Sequence, residues 1–198
     1  MITSKIMLRS IFLLFLFIFS GCNQPNNKEP HIQITTSFGD IEIELYPEKA
    51  PKTVAAFLSY IDSGYYNNCS FYRVLKTEDM VGNNFGVIQG GIWQTNDQLH
   101  PYITRTGHES TQQSGLTHTT GTISMARTKN STAGTEFFIC IGDQTHFDYG
   151  PDRDGDKQGY AAFGKVIKGM KIARMIQNQP AAGEHFINKI IITGIKRL

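Results

Sequence analysis

The sequence has few cysteines, no long apolar run and no histidines at metal-ligand spacing. Three cysteines in 198 residues exclude a small scaffold held together mainly by disulfides. The apolar run Ile11–Phe19 is shorter than the roughly 20 residues that a transmembrane helix needs, which argues against a membrane-spanning anchor. The six histidines show no paired ligand spacing. We therefore predict neither a metal site nor a cofactor.

Residues 1–21 have the pattern of a lipoprotein signal peptide. A basic start, the apolar run and two small residues precede Cys22. This order resembles a bacterial lipobox, in which the cysteine is lipidated and becomes the mature N-terminus. A plain secretory signal cleaved nearby is the alternative, because Phe19 is unusual three places before the cysteine. Residues 22–30 predict a flexible tether, and residues 31–198 predict one domain.

Removal of this signal changes both the charge and the cysteine count. The chain has 19 basic and 17 acidic residues; the signal contains Lys5 and Arg9 but no acid, so 17 of each remain. A balanced charge gives no reason to expect a nucleic-acid partner, which requires a clustered basic surface. Cys69 and Cys140 also remain, and they could pair in an oxidising compartment. We favour free, buried thiols, because two cysteines far apart in sequence are weak support for a disulfide.

Hydrophobic patterning predicts a mainly β domain. Alternating residues in His31–Thr36 and Ile41–Leu45 indicate a hairpin. An apolar stripe at helical spacing follows Pro51, and Gly64 provides a C-terminal cap. Many strands with two helices suggest a closed antiparallel barrel capped by helices. The other predicted elements are the strands Ser70–Leu75, Val87–Gln89, Thr122–Ala126, Glu136–Ile141, Ala161–Val166 and Ile187–Ile195, and the helix Lys168–Gln177.

The strand from Glu136 to Ile141 predicts a ligand groove. Successive side chains point to opposite faces of a strand. Phe137 and Ile139 therefore share a core face, while Glu136 and Phe138 share the other face. A carboxylate beside a phenyl ring suits a groove for a ligand that is part polar and part apolar.

Five sequence motifs that occur in a fixed order along the chain indicate a protein family. They are Ser70-Phe71-Tyr72-Arg73-Val74, Val87-Ile88-Gln89-Gly90-Gly91, Gly121-Thr122-Ile123-Ser124-Met125-Ala126, Gly134-Thr135-Glu136-Phe137-Phe138-Ile139 and Phe163-Gly164-Lys165-Val166. Together they resemble the cyclophilin-type peptidyl-prolyl cis–trans isomerases, over roughly His31 to Leu198. The resemblance implies an eight-stranded antiparallel barrel closed by two helices, with its groove on the outside. It also implies an enzyme, most simply a monomer, that acts on proline-containing polypeptides.

The resemblance assigns roles to individual residues. Arg73 matches the catalytic arginine, and Gln89 matches the glutamine that helps to hold the arginine and the substrate. Phe138 matches the floor of the proline pocket. The substrate-binding positions as a set are Phe71, Val87, Ala126, Arg127, Glu136, Phe138, Phe147 and Tyr160.

Several positions depart from the family pattern. Arg127 stands where many relatives have an asparagine that contacts the substrate backbone, and Glu136 stands where most have glutamine. We expect Glu136 to lie near Arg73 and to favour basic peptides. His146 replaces a rim aromatic, Gly86 aligns with a pocket phenylalanine whose ring Phe85 could supply, and an extra loop covers about Lys76–Gly86.

The sequence favours a lipid-anchored, extracytoplasmic isomerase that assists folding. One alternative is a module that binds proline-containing segments without turnover, which Arg127 and Glu136 suggest. Another is an interaction protein that uses the loop Tyr149–Gly159. A calcium loop at Asp152–Asp156 is disfavoured, because its glycine falls one place early and its closing acid is missing.

Overall fold

A computed structural model describes residues 29–78, 82, 84–96, 98–99, 103–127, 133–150 and 156–198. The predicted signal peptide, Cys22, most of the tether and most of Asp152–Asp156 lie outside the described residues. Strands are β1 His31–Thr36, β2 Gly39–Leu45, β3 Cys69–Glu78, β4 Asn84–Gly91, β5 Thr122–Met125, β6 Phe137–Ile141, β7 Ala161–Lys168, β8 Ala181–Ala182 and β9 His185–Arg197. Helices are α1 Pro51–Asp62, α2 Thr111–Ser114 and α3 Met170–Gln177, with a 3₁₀ turn at Thr145–Phe147.

Within these residues, eight strands close an antiparallel barrel. Their order is β1-β2-β7-β5-β6-β4-β3-β9, and pairing of β1 with β9 completes the ring. The short β8 pairs only with β9. A closed barrel leaves no unpaired edge of the sheet. The predicted fold is confirmed.

Alternating side chains fill the barrel. In β1 and β2 the buried positions are every second residue, including Ile32, Ile34 and Ile43. β-branched residues pack well on a pleated surface, and burial of each such side chain contributes about 1.5–3 kcal/mol. The core that these residues form is continuous with the buried face of α1.

The helix α1 follows its predicted pattern but takes its N-terminal cap from a distant residue. Val54, Phe57, Leu58 and Ile61 are buried. Ala50, at the N-cap position, has no side-chain oxygen with which to cap the helix. Glu109 supplies that acceptor instead: its carboxylate accepts the backbone N–H groups of the first turn from 56 and 57 residues away in the chain.

Two expectations about the elements need correction. The segment Lys76–Gly86 was predicted as a loop, but β3 continues to Glu78 and β4 begins at Asn84, so its described ends are paired. A short helix, α2, accompanies the two predicted helices. Cys69 and Cys140 are free and buried, as predicted.

Candidate active site

A second apolar cluster lies on the outer face of the barrel, apart from the core. Its buried members are Val87, Phe138 and Cys140. Val87 and Cys140 are paired partners on β4 and β6, and their neighbours Ile88 and Ile139 point inward. Partly buried residues complete the cluster: Leu75, Ala126, Phe147 and Tyr160. The structure thus brings together five predicted groove residues. It adds Leu75 and Cys140, which strand alternation alone could have identified.

Three aromatic rings pack against one another in this cluster, at the positions where the resemblance predicts the proline pocket. The ring of Phe138 meets that of Phe147 at 5.4 Å and 61°, and that of Tyr160 at 5.3 Å and 90°. Phe147 and Tyr160 lie 5.2 Å apart at 83°. Edge-to-face contacts of this kind contribute roughly 0.5–1.5 kcal/mol each beyond the area that they bury. These contacts hold the three rings in fixed positions relative to one another.

A buried histidine supports the pocket floor. The imidazole of His118 stacks on Phe138 with centroids 5.8 Å apart and planes at 19°. Its Nδ1 lies 2.6 Å from Asp148 Oδ1, and its Nε2 lies 3.0 Å from Ser124 Oγ. Neither His118 nor its partners were predicted, because a lone histidine carries no signal of its position. This network fixes the ring on which Phe138 rests.

Arg73 and Gln89 lie opposite each other on β3 and β4, next to the pocket strand. Arg73 Nη1 donates to Gln89 Oε1 at 2.8 Å. The amide nitrogen of Gln89 donates to the hydroxyl of Tyr72 at 2.8 Å. The pairing of β3 with β4 shifts between Phe71 and Arg73, so Tyr72 is the extra residue of a bulge. Bulges re-aim side chains, and here Tyr72 and Arg73 both reach Gln89.

Two other N–H groups of Arg73 donate to a carboxylate that the sequence did not identify. Nε and Nη2 donate to Glu184 Oε2 at 2.9 and 2.6 Å. The carboxylate paired with Arg73 is thus Glu184 rather than Glu136, which the sequence led us to expect nearby. No sequence signal relates Arg73 to Glu184, which follows it by 111 residues.

Glu136 instead binds the turn after β4. Its Oε1 accepts the N–H groups of Ile92 at 3.0 Å and Trp93 at 3.2 Å. Its carboxylate lies so close to Gly91 that a Cβ there would meet Oε2 at 2.4 Å. Burial raises the pKa of Glu136, and hydrogen bonds from Tyr72, Thr135 and the two backbone groups oppose that rise. The carboxylate thus serves local structure.

Two other predicted contacts are corrected. Phe71 is fully buried in the core, edge-on to Phe137 at 5.8 Å, so it does not line the groove. Arg127 is committed through all three nitrogens, to both oxygens of Asp156 at 2.6 and 2.7 Å and to the carbonyl of Gly159 at 2.7 Å. This leaves it an anchor of the pocket wall rather than a reader of peptide backbone.

The remaining departures border the pocket. The ring of His146 lies 4.0 Å from that of Phe147, so an aromatic ring is retained at the rim. A Cβ on Gly86 would lie 2.0 Å from the carbonyl oxygen of Leu75, which excludes any side chain there. Phe85 packs against Gly142 and is not a member of the pocket cluster.

The described residues show no grouping of side chains suited to a metal ion. None of the helices among them is long and apolar enough to cross a bilayer.

Fold and site together define a closed barrel with an aromatic cluster on its outer face and an arginine on the neighbouring strands. The family model described as cyclophilin type peptidyl-prolyl cis-trans isomerase matches residues 31–197. A peptidyl-prolyl cis-trans isomerase of Acinetobacter baylyi is 38% identical over 152 residues, 76% of this chain and 73% of the relative. Peptidyl-prolyl cis-trans isomerase A of Dickeya dadantii is 39% identical over 147 residues, 74% and 70% of the two chains.

A solved structure agrees with these relatives. The crystal structure of a cyclophilin type isomerase from Cryptosporidium parvum has a TM-score of 0.65 and 27% identity, and the match covers 86% of this chain and 98% of that one. The same protein in the presence of the dipeptide Ala-Pro gives a TM-score of 0.62 and 26% identity, over 83% and 96% of the two chains. The chain belongs to the cyclophilin family and is a peptidyl-prolyl cis–trans isomerase.

Proposed function

We propose that Arg73 and the aromatic pocket carry this activity on X-Pro bonds of polypeptides laid in the groove. The observation that carries the proposal is the position of Arg73, held by Gln89 one strand away from the pocket floor Phe138. The crystal structure determined in the presence of Ala-Pro supports a proline-containing ligand for this fold.

The reaction needs neither a nucleophile nor a metal. Resonance gives the peptide bond a rotational barrier of about 18–20 kcal/mol, and no bond is made or broken during rotation. In the twisted state the prolyl nitrogen becomes pyramidal and its lone pair is free. A hydrogen bond from Arg73 to that nitrogen therefore stabilises the twisted state more than either planar isomer.

The pocket and Gln89 supply the geometry. The rings of Phe138, Phe147 and Tyr160 hold the proline while the acyl side rotates. Gln89 fixes one edge of the Arg73 fork, so little reorganisation is needed as the transition state forms. A barrier lowered by about 7 kcal/mol would accelerate rotation by roughly five decades.

Two rival functions lose their support in the structure. A binding module without turnover was suggested by Arg127 and Glu136, but both have structural partners and neither is bonded to Arg73. An interaction surface on Tyr149–Gly159 falls partly outside the described residues. The loop's described end is tied to the pocket wall by Arg127.

Substitution of Arg73 tests the catalytic assignment. Arg73→Ala should lose most turnover on a small X-Pro peptide while the fold and peptide affinity remain, because the critical hydrogen bond strengthens only in the twisted state. Arg73→Lys is the matched variant: it keeps the charge but lacks the planar fork, and it should also lose most turnover. The assignment would be contradicted if Arg73→Ala kept more than about a tenth of the wild-type rate, which means that the barrier rose by less than about 1.4 kcal/mol.

We further propose that the enzyme works outside the cytoplasm on a lipid anchor at Cys22. The support is the sequence pattern of residues 1–21 and the polar residues 23–30 before the first strand. A tether of this kind would let the barrel meet newly exported chains close to the membrane, where X-Pro isomerisation limits folding on a scale of roughly tens to hundreds of seconds.

A further inference from the structure

The guanidinium of Arg73 is divided between two acceptors. Nη1 donates to Gln89 Oε1 at 2.8 Å. Nε and Nη2 both donate to one oxygen of Glu184, at 2.9 and 2.6 Å. Because both donors belong to one planar group and share one carboxylate oxygen, they fix the orientation of the guanidinium and place a negative charge beside it. The family resemblance assigned no role to Glu184.

Backbone contacts hold Glu184 in place beside Arg73. Glu184 lies in the two-residue turn between β8 and β9, whose flanking residues Ala182 and His185 are paired. Its carbonyl oxygen accepts the N–H of Val74 at 2.8 Å. The turn is therefore bonded to the residue that follows Arg73 on β3. The carboxylate starts from a fixed point and is not carried by a loose surface loop.

The ion pair remains accessible to a bound peptide. The side chain of Glu184 is 55% exposed and that of Arg73 is 33% exposed. The second oxygen of Glu184 accepts no hydrogen bond from the residues that the structure describes. A carboxylate oxygen next to the arginine is therefore open to a cation from the substrate. Partial solvation makes its electrostatic effect modest and sensitive to salt.

We infer that Glu184 sets the charge preference of the isomerase, an inference that rests on the role proposed for Arg73. An unpaired guanidinium would attract an acidic side chain next to the proline and repel a basic one. Glu184 cancels that field, and its open oxygen accepts a hydrogen bond from lysine or arginine. The favoured substrate class is therefore X-Pro segments that carry a basic residue beside the proline, and acidic neighbours are disfavoured.

Peptides matched except for one charge test the inference. The probes are end-blocked Ala-Lys-Pro-Ala, Ala-Gln-Pro-Ala and Ala-Glu-Pro-Ala, with a second set in which the variable residue follows the proline. The full chain, kept in solution with mild detergent, is assayed at low and high salt for kcat/KM. In whichever of the two sets shows the larger charge effect, the kcat/KM of the wild type should be about 3- to 5-fold higher for the lysine peptide than for the glutamate peptide at low salt. Glu184→Gln should abolish or reverse that ratio, and high salt should shrink it in the wild type.

Controls separate the charge effect from other causes. Glu48→Gln removes the same charge at an exposed position between β2 and α1 and should leave the ratio unchanged. Thermal melts of Glu184→Gln confirm that this exposed, conservative change leaves the fold intact. An unchanged ratio in Glu184→Gln overturns the inference. An equal fall in kcat/KM on every peptide also leaves the ratio unchanged, and it would make Glu184 solely a support for Arg73.

Arg73→Ala distinguishes failure of this inference from failure of the proposed mechanism. If the roles of Arg73 and Glu184 are both right, this variant loses turnover. It should still bind the lysine peptide more tightly than the glutamate peptide, at least as selectively as the wild type, because Arg73 no longer neutralises the carboxylate of Glu184. Retained turnover would overturn the role of Arg73, while the ratio of dissociation constants would still decide on Glu184. A reversed binding ratio would overturn the charge preference itself.

Discussion

Replacement of Glu109 tests how a residue distant in the chain caps the N-terminus of α1. Its carboxylate accepts the N–H of Lys52 at 3.2 Å, and the N–H and hydroxyl of Thr53 at 2.8 and 2.7 Å. Thr53 is fully buried, so its hydroxyl has no access to solvent once the carboxylate is gone. Glu109→Ala thus removes the N-terminal cap of α1 and leaves the buried hydroxyl of Thr53 without its hydrogen-bond acceptor.

The two losses can be estimated from the contacts. A lost N-cap costs about 0.5–2 kcal/mol, and an unsatisfied buried group costs about 1–3 kcal/mol. The two overlap at Thr53, so we expect Glu109→Ala to destabilise the protein by about 2–4 kcal/mol. For a domain of this size that corresponds to a fall in Tm of roughly 5–15 °C. Glu109→Gln keeps an acceptor for Thr53 but loses the charge at the helix N-terminus, and it should cost about 1 kcal/mol.

Urea denaturation and calorimetry of the two variants and the wild type measure these differences. Glu48→Ala, an exposed carboxylate in the same β2–α1 region, is the control and should change stability by less than about 0.5 kcal/mol. Activity per folded molecule should be retained in Glu109→Ala, because Arg73 is not among the contacts of Glu109. A loss of stability below about 0.5 kcal/mol in Glu109→Ala, or an equal loss in Glu109→Gln and Glu109→Ala, would refute the capping role of the carboxylate.

Two further predictions concern pH and the membrane. Burial raises the pKa of Glu136 above its ordinary value of 4.5, so the folded state loses stability as pH rises through that raised pKa. Glu136→Gln should therefore be more stable than the wild type at pH 7 in thermal melts, and a gain that persists unchanged at about pH 4 would argue against this cause. Cys22→Ala should move the protein from the membrane to the soluble extracytoplasmic fraction with unchanged activity per molecule; continued sedimentation with membranes would refute lipidation there.

Period-two alternation predicted the two faces of β6 correctly. It placed Phe138 outward and Phe137 inward, and the structure has Phe138 in the pocket cluster and Phe137 in the core. The same rule could not locate the bulge at Tyr72, where the pairing of β3 shifts. The misplacement of Phe71 in the groove reflects a motif position carried over without regard to which way its side chain points.

Contacts between residues far apart in sequence account for the other differences. Glu184 reaches Arg73 across 111 residues, and Glu109 reaches Thr53 across 56. A charged side chain in an isolated sequence has many candidate partners, and only the folded chain selects one. The sequence identified Glu136 as the carboxylate near Arg73 because it stood in a motif, whereas Glu184 stood in none.

Arg127 and Arg73 both lie at the groove, and the exposure of their carboxylate partners differs. Arg127 lies 5.8 Å from the ring of Tyr160 in the pocket wall, yet Asp156 neutralises it through two hydrogen bonds. Arg73 is likewise matched by Glu184. Both arginines at the groove therefore have a carboxylate partner, but the pairs differ in exposure: the side chains of Arg127 and Asp156 are 10% and 20% exposed, against 33% and 55% for Arg73 and Glu184.

That difference decides which pair meets the substrate. A bidentate pair that is largely buried is screened little and is costly to separate, so it acts as a fixed part of the wall. The more exposed pair can exchange a hydrogen bond with water or a peptide at little cost. Loss of Glu184 would leave one uncompensated positive charge at the site of rotation. Because that charge is positive, it attracts acidic side chains and repels basic ones. We therefore expect Glu184→Gln to shift the preference from basic toward acidic neighbours of proline.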